Sequence, residues 1–258
     1  MKKITMLLLC TVLGTMQAKN FEFTTNRLQS FVSGSGNQKI LEITHRKIKN
    51  LPDDLSKLLK PIVDKKTEPV RIIDFSHNHI KELKKHTFND ITKVEFIKLT
   101  HNKIKHIYPH AFDSLQSLQW IYLSHNNIRD LRDDTFKHLT GVWGIMLDHN
   151  DIRTLKEDVL DDLRLLHHIS FAHNKIKRLQ GNMFADIRTE KDDANRKVSN
   201  LEVIDFSHNP IEKVEENAFA DLPNLKTLII SQDLPADIIQ TIKAQAYNAN
   251  KTCEVVLV

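Results

Sequence analysis

The sequence predicts an α/β solenoid in which about seven right-handed coils stack their short strands into one curved parallel sheet. The first observation behind this prediction is an asparagine that returns every 24 residues and once more after a step of 35. These asparagines are Asn78, Asn102, Asn126, Asn150, Asn174 and Asn209. The second is that apolar and polar residues alternate just before each of them, as in a strand with one buried face.

The third observation is an apolar frame that recurs at fixed offsets from each asparagine. Around Asn126 it consists of Leu118, Ile121, Leu123, Ile128, Leu131, Phe136 and Leu139. We assign these positions to the core, and we expect the asparagine amide to bond backbone groups that the turn leaves unpaired. Behind the sheet we expect a spine of aromatic rings, which Leu160 interrupts in one coil. Its members are Phe88, Phe112, Phe136, Phe184 and Phe219.

This frame matches the pattern L-x-x-L-x-L-x-x-N-x-L, so residues 38–231 resemble the extracellular leucine-rich-repeat proteins with 24-residue repeats. The unit Leu-Ser-His-Asn-Xaa-Ile is similar to that of Toll-type receptor ectodomains and of the secreted leucine-rich-repeat proteins of insects. The resemblance implies a leucine-rich-repeat solenoid that binds another macromolecule, and it suggests innate immunity. Family members that assemble through an intermolecular disulfide usually carry several terminal cysteines and a coiled coil, which this sequence lacks.

The first 18 residues have the features of a cleaved signal peptide. Lys2 and Lys3 precede an apolar run of thirteen residues, Ile4 to Met16, which is too short to span a bilayer, and Ala18 offers a small residue for cleavage. An uncleaved anchor is the alternative. Since no other stretch approaches the roughly 20 apolar residues of a membrane helix, we expect a secreted, extracellular protein without a membrane span.

The rest of the chain divides into a cap at 19–37, repeats at 38–231 and a second cap at 232–258. Insertions interrupt the repeats near 52–69, where we expect a short helix, and near 188–199, where a charged run predicts a solvated, protease-sensitive loop. Extracellular relatives commonly close both ends with disulfide-rich caps, and neither cap of this chain is of that kind. We expect Phe21, Phe23, Leu28 and Phe31 to cover the first coil. A helix starting at Pro235 and an edge strand from Cys253 to Val258 would cover the last.

Cysteine use and charge limit the partners. Removing the signal peptide leaves Cys253 alone, which allows a free thiol or an intermolecular disulfide to a homo- or heterodimer partner. Asn250 starts the one glycosylation sequon, Asn-Lys-Thr. The chain has 37 basic and 33 acidic residues, and this near balance does not favour nucleic acid as a partner.

Two columns of strand residues should face the concave side of the coil array. One contains Ile72, Phe96, Trp120, Gly144 and His168, and the next contains Asp74, Lys98, Tyr122, Met146 and Ser170. Trp143 lies one position earlier in its coil. Large aromatic side chains in solvent-facing positions are typical anchors of protein interfaces. We therefore predict a partner-binding patch at Phe96, Lys98, Trp120, Tyr122, Trp143, Met146 and His168, with packing of these side chains against each other as the alternative.

A histidine precedes the asparagine in every regular coil. The row consists of His77, His101, His125, His149, His173 and His208, and His45 occupies the same position before Arg46 in the irregular first coil. We favour a structural role, in which each ring sits on the turn surface. The alternative is a pH sensor, because charging adjacent imidazoles below about pH 6.5 would weaken the stack. No acidic or cysteine ligands complete a metal site, so we expect neither a metal nor a cofactor.

A basic row lies three residues after each asparagine and ends where Glu212 occupies this position. It consists of Lys49, Lys81, Lys105, Arg129, Arg153 and Lys177. Such an edge could bind a polyanion, although acids such as Glu82 and Asp130 lie beside it and charge rows are usually solvated surface.

We expect no enzyme, because the sequence has no Gly-Xaa-Ser-Xaa-Gly elbow and no glycine-rich phosphate loop among its six glycines. The favoured function is extracellular protein recognition through the concave face. The alternatives are an adhesion or matrix protein that binds polyanions, and a secreted effector or venom component that mimics a host receptor.

Overall fold

Short strands make up most of the regular structure. The computed structural model describes residues 21–35, 39–160, 162–184, 187, 190–191 and 197–258. Its strands, numbered β1 to β16 in chain order, are Val32–Ser33, Ile40–Glu42, Ile72–Asp74, Glu82–Leu83, Phe96–Lys98, His106–Ile107, Trp120–Tyr122, Gly144–Met146, His168–Ser170, Arg178–Leu179, Glu190–Lys191, Lys197–Val198, Val203–Asp205, Lys213–Val214, Thr227–Ile230 and Glu254–Leu257. The helices α1 to α3 are Thr25–Gln29, Leu55–Val63 and Ala236–Ala249, and Glu157–Leu160 form a 3₁₀ turn.

Ten of these strands form one sheet, in the order β1-β2-β3-β5-β7-β8-β9-β13-β15-β16. Every pair is parallel except the first, because β1 runs antiparallel to β2. Each coil thus adds one strand beside that of the coil before, and coils one to seven contain β2, β3, β5, β7, β8, β9 and β13. This confirms the predicted leucine-rich-repeat solenoid of about seven coils with a parallel sheet.

The core lies between the sheet and the turns on its far side. Ile121 and Leu123 are fully buried, as are their counterparts in the neighbouring coils. The rings of Phe88 and Phe112 stack with centroids 6.0 Å apart, and those of Phe112 and Phe136 are 6.3 Å apart. These contacts confirm the predicted aromatic spine, which Leu160 interrupts by taking a buried position without a ring.

The repeated asparagines join each coil to the one before it. The Nδ2 group of Asn102 donates to the carbonyls of Phe75 and Leu99, at 3.0 and 3.1 Å. Its Oδ1 accepts the backbone N–H of Ile80 in the previous coil, at 3.0 Å. The same pattern recurs at the other asparagines, which are buried. Side-chain amides therefore satisfy buried backbone groups at the turn, as the sequence predicts.

The convex side consists mainly of turns and short paired segments. Strand β4 pairs with β6, and β10 pairs with β14, both in parallel. Helix α2 lies inside the segment 52–69, where the sequence predicts a helix, and buries Leu55, Leu59, Ile62 and Val63. Its carboxyl-terminal cap, Asp64, accepts the backbone N–H groups of Thr92 and Lys93 at 3.1 Å. The helix is thus anchored to a later coil.

Both ends of the described solenoid are covered by apolar residues. Leu28 of α1 is buried, and Phe21, Phe23 and Phe31 pack against the core. At the other end α3 buries Ile238, Ile242 and Ala246, and β16 pairs in parallel with β15. Packing of apolar side chains closes both ends, and neither uses a disulfide among the described residues.

Two predicted segments fall wholly or partly outside the described residues. The signal peptide at 1–18 lies outside them entirely. The predicted loop at 188–199 lies partly outside, and its described part differs from a plain loop because β11 pairs antiparallel with β12. Pairing of these two strands needs only main-chain hydrogen bonds, so the charged side chains that suggested a loop do not prevent it.

Candidate functional site

Strand register fixes which residues face the concave side. Along the middle of the sheet, Phe96 pairs with Trp120, Trp120 with Gly144, and Gly144 with His168. One column further, Lys98, Tyr122, Met146 and Ser170 pair in the same way. The described strands therefore place these residues in the two adjacent columns that the sequence predicts.

The indole of Trp120 lies flat across the neighbouring coil. A Cβ atom added to Gly144 would come 2.2 Å from Cζ3 of Trp120, so only glycine leaves room for the ring. The indole continues beyond Gly144 to His168, whose ring centroid lies 5.9 Å away at an interplanar angle of 24°. Trp120 also stacks on Tyr122, with centroids 5.9 Å apart. We call Trp120, Tyr122, Gly144 and His168 the aromatic platform.

The platform is less exposed than the sequence suggests. Trp120, Tyr122 and Met146 are half-buried, as are Phe96 and Lys98. Burial also raises the pKa of Tyr122. Ring contacts join Trp120 to Tyr122 and His168, whereas none joins it to Phe96 within the described part of the chain. The patch is therefore centred on coils four to six and does not extend evenly to Phe96.

Trp143 forms a second, more open part of this surface. It is 49% exposed, and its ring stacks on that of His167 at a centroid distance of 4.9 Å. Its carbonyl accepts the N–H groups of His167 and His168, which fixes the start of the next strand. Nearby, Glu202 forms an ion pair with Lys226 at 2.8 Å, and Lys226 lowers the pKa of Glu202, with smaller contributions from His167 and His168.

Sequence reasoning missed two members of this surface. Gly144 stands in the predicted column, but the sequence does not show that the indole of Trp120 packs on it, because that contact depends on the rotamer of Trp120. A glycine inside a strand pattern, one coil after a tryptophan, is the signal that marks such a close approach. His167 was missed because, like Trp143 in the previous coil, it lies one position before its strand and outside the predicted columns. The stack of its ring on the Trp143 indole becomes visible only in the structure.

The histidines before the asparagines form a continuous stack of seven rings. Successive centroids lie 4.6, 4.4, 4.2, 4.2, 4.1 and 4.0 Å apart, from His45 to His208. All seven residues are exposed, and all have φ between 52° and 57°. Histidine is among the few non-glycine residues enriched in this left-handed region, so the turn itself favours it. We call this row the histidine ladder.

Partial burial and neighbouring rings disfavour the protonated form of three rings of the ladder. Partial burial lowers the pKa of His101, and His77 and His149 lower it further. The pKa values of His125 and His173 are lowered in the same way, although Asp148 opposes the shift at both. Parallel stacking aims the ring nitrogens side by side, which is a poor geometry for chelation. Among the described residues no group of three potential ligands converges on a point that could hold a metal ion.

The basic row is exposed along its length but is paired only at one end. Lys177 forms an ion pair with Glu212 at 2.7 Å. Lys49, Lys81, Lys105, Arg129 and Arg153 form none with a described carboxylate. Beside Lys177, a groove of about 790 Å³ is lined by Arg153, Thr154, Lys175, Lys177, Arg178, Gln180 and Pro210.

The structure places Cys253 and Asn250 in the carboxyl-terminal cap. The Cys253 thiol is free and half-buried against the core, and burial raises its pKa. Asn250 ends α3, and its Nδ2 donates to the carbonyl of Leu225 at 2.9 Å. Its Oδ1 accepts from Thr252 at 2.9 Å. An intermolecular disulfide and a glycan both remain proposals, and each requires a group that is now packed inward to face solvent.

The comparisons with known proteins agree with this architecture. The leucine-rich-repeat family profile matches residues 68–128, 116–176 and 187–234, which together are more than half of the chain. The chain therefore belongs to the leucine-rich-repeat family. No curated protein matches it. No helix in the described residues combines the length and apolar character needed to cross a membrane.

The fold is also similar to that of a Toll-like receptor. A crystal structure of a TLR13–ssRNA13 complex superimposes with a TM-score of 0.68 over 84% of this chain, at 19% sequence identity. The chain spans only 28% of the length of that receptor chain. At this identity the similarity shows the fold alone.

Proposed function

We propose that this chain is a secreted recognition protein that binds an extracellular protein ligand or receptor through its concave face. The observation that carries the proposal is the aromatic platform, in which Trp120 is held over Gly144 and against His168. Beside it, Trp143 is 49% exposed although it is a large apolar side chain. Leucine-rich-repeat folds typically bind ligands and are not enzymes, which agrees with this assignment.

Preorganisation is the physical reason to favour this surface. A protein interface gains most of its affinity from a few large side chains that are already ordered before binding. Trp120 is fixed by contacts on three sides, so it loses little conformational freedom when a partner covers it. The exposed ring of Trp143 supplies apolar area that a partner would remove from water.

Charge on the concave face favours a protein over a nucleic acid. Asp74 and Asp205 stand in the same column as Tyr122, where Lys98 supplies a cation, and Asp148 lies two residues after β8. Ser124 donates a hydrogen bond to the Asp148 carboxylate at 2.9 Å. Phosphate groups would be repelled by these carboxylates. The RNA bound by the structural relative is therefore not carried over to this face.

A role in innate immunity is the part of the proposal that rests on family resemblance. The Toll-type repeat motif and the fold shared with TLR13 support it. The secreted effector or receptor mimic remains the competing biological role, and tissue of expression separates the two. A partner linked through Cys253 belongs to the same proposal.

The test compares partner capture by two variants from the native extracellular fluid. The double variant Trp120→Ala, Tyr122→Ala removes the platform and should recover at least tenfold less of the partner that the wild type captures. The control is Tyr247→Ala, since Tyr247 is 56% exposed but lies on α3, away from the sheet face. Unchanged capture by a well-folded double variant would refute the concave-face assignment.

A further inference from the structure

On the turn, three positions surround each asparagine, or Arg46 in its place in the first coil. They are the residue before it, the residue after it and the residue three after it. In the first three coils all nine of these positions are basic. They are His45, Lys47, Lys49, His77, His79, Lys81, His101, Lys103 and Lys105. We call these nine residues the basic block.

Backbone pairing brings the three coils of the block side by side. The N–H of Lys81 donates to the carbonyl of Lys49 at 3.2 Å, and that of Lys105 donates to Lys81 at 2.9 Å. Along the ladder the rings of His45, His77 and His101 are 4.6 and 4.4 Å apart. The block is thus a compact surface of adjacent basic side chains.

The lysines of the block are not neutralised by the protein itself. None of the five forms an ion pair with a carboxylate in the described part of the chain. Later coils differ, because Asn127, Asp151 and Pro210 replace the residue after the asparagine. The basic side chains of the groove beside Lys175 and Lys177 are neutralised by ion pairs. Lys175 pairs with Asp151, Lys177 pairs with Glu212, and Arg178 pairs with Glu215.

We propose that the basic block binds a sulfated polysaccharide, and that this binding strengthens as the pH falls from 7.5 to 5.5. The site lies on the turn beside the sheet, outside the concave columns, so it is a second function beyond protein recognition. Five lysines attract the polymer at every pH in this range, and histidine is the type of side chain that gains positive charge as the pH falls through it.

The charges around the block determine the direction of the pH effect. Partial burial, together with Lys103, Lys47 and Lys49, lowers the pKa of His79. A bound polyanion offsets the repulsion between these lysines and a protonated His79. Ligand binding and protonation of His79 therefore reinforce each other.

Few acids oppose this coupling. The neighbouring strands contribute Glu42 and Asp74, and the Asp74 carboxylate accepts the N–H of Ser76 at 2.8 Å. Strand β4 contributes Glu82 beside Lys81, and strand β6 contributes His106 beside Lys105. Arg46 adds a further cation next to His45 and packs on the ring of Phe31.

The arrangement of the rings favours a sulfated polysaccharide over a single-stranded nucleic acid. Proteins that bind single strands offer open aromatic faces on which bases stack. The block contains no tryptophan, tyrosine or phenylalanine, and the ring of His77 is covered on both faces by His45 and His101. Closely spaced ammonium groups and imidazole edges instead suit the dense sulfates of a flexible polymer.

The test measures binding of the full chain to immobilised heparin at pH 7.5 and 5.5, at constant ionic strength. Wild-type affinity should rise at least tenfold at the lower pH. Lys103→Gln with Lys105→Gln should weaken binding at both pH values by about tenfold and reduce the slope of log affinity against log salt by about two. The matched control is Lys175→Gln with Lys177→Gln, which occupies the same repeat positions in coil six and should bind like the wild type.

A histidine variant tests the pH dependence separately. His77→Asn with His79→Gln should bind like the wild type at pH 7.5 and lose most of the gain at pH 5.5, since asparagine tolerates the positive φ of His77. His208→Asn, at the far end of the ladder, should keep the gain. Thermal melting and circular dichroism establish that each variant is folded.

Three results would overturn the proposal. They are no heparin binding by the folded wild type, equal losses in the two lysine variants, or competition by single-stranded RNA as effective as that by heparin at equal charge. Because Trp120 and Tyr122 lie outside the block, their double variant should retain heparin binding. A failure of the concave-face proposal is therefore distinguishable from a failure of this one.

Discussion

The indole of Trp120 covers Gly144 so closely that a β-carbon on this glycine would come 2.2 Å from the ring. The glycine is therefore the seat that lets a tryptophan of one coil reach His168 two strands further on. This contact joins side chains of three adjacent coils in one surface. Replacing Gly144 changes the position of the indole while every aromatic residue is kept. Such a variant tests the geometry of the platform separately from its composition.

Gly144→Ala should displace the indole of Trp120 into solvent. In a Trp143→Phe background Trp120 is the only tryptophan, so under excitation selective for tryptophan its emission maximum should move to longer wavelength. Alanine is preferred to glycine in a strand by roughly 0.5–1 kcal/mol, which offsets part of the lost packing, so the free energy of unfolding should change little. Gly141→Ala is the matched control, because its added Cβ would meet only backbone oxygens at 3.6 Å. An unshifted spectrum for Gly144→Ala would show that the indole does not depend on this seat.

The sequence predicts the columns of the concave face but not the conformation of the side chains within them. Strand alternation and the 24-residue period are enough to place Trp120, Gly144 and His168 in one row. Whether an aromatic ring points to solvent or lies along the sheet depends on the size of its neighbour in the next coil. Packing between coils determines this orientation. Trp120 is therefore half-buried although the pattern predicts a solvent-facing side chain.

Asn126→Ala should lower the free energy of unfolding by about 2–4 kcal/mol, because it leaves buried backbone groups without partners. Asn126 donates to the carbonyls of Leu99 and Leu123 at 2.9 Å, and it accepts the N–H of Ile104 at 3.0 Å. Urea denaturation measures the effect. The adjacent residue offers a control, since Asn127 is exposed and Asn127→Ala should stay within about 0.5 kcal/mol of the wild type. Equal losses in the two variants would contradict the assigned role of Asn126.

The histidine ladder should make the fold less stable in acid. The pKa values of His101, His125 and His173 are lower in the folded protein than the usual 6.5. As the pH falls below about 6.5 the unfolded chain binds protons first, so unfolding becomes easier. The stabilisation from the neutral rings is complete above this pH and is lost as the pH falls through the lowered folded pKa values. Urea midpoints between pH 7.5 and 5.0 measure this trend.

A variant pair identifies the ladder as its source. His125→Asn keeps a residue that tolerates φ of 55° and removes one ring from the centre of the stack, so the midpoint should fall less steeply with pH. His138→Asn is the control, because His138 has φ of 64° but lies outside the ladder, 3.7 Å from the Asp162 carboxylate. Identical pH dependence in wild type and His125→Asn would contradict the role of the ladder.

The Cys253 thiol should react slowly in the native protein. Burial raises its pKa, and the thiolate is the reactive form. A colorimetric thiol reagent at pH 8 should modify it at least tenfold more slowly in the folded chain than in urea. Non-reducing gels of the wild type and Cys253→Ser should both show monomer unless a partner first opens the cap. Immediate modification of the folded chain would show that the thiol is open to solvent.

The caps and the ladder show a second limit of sequence reasoning. The apolar spacing of Ile238, Ile242 and Ala246 predicts a helix with one buried face, and α3 has it. Nothing in the spacing of Cys253 indicates whether its side chain points inward, since it stands at a strand start. The histidine row is likewise visible in the sequence, whereas the close stacking of its rings follows from the shared positive φ of the turn.

The most direct test of the recognition surface is partner binding by Gly144→Ala beside Gly141→Ala. Each immobilised variant is exposed to the same native fluid, and the amount of the partner captured by the wild type is quantified. We predict that Gly144→Ala loses at least tenfold of this capture while Gly141→Ala retains it, although both variants keep every aromatic residue. Full capture by a folded Gly144→Ala variant with a displaced Trp120 would contradict the proposal that the platform binds the partner.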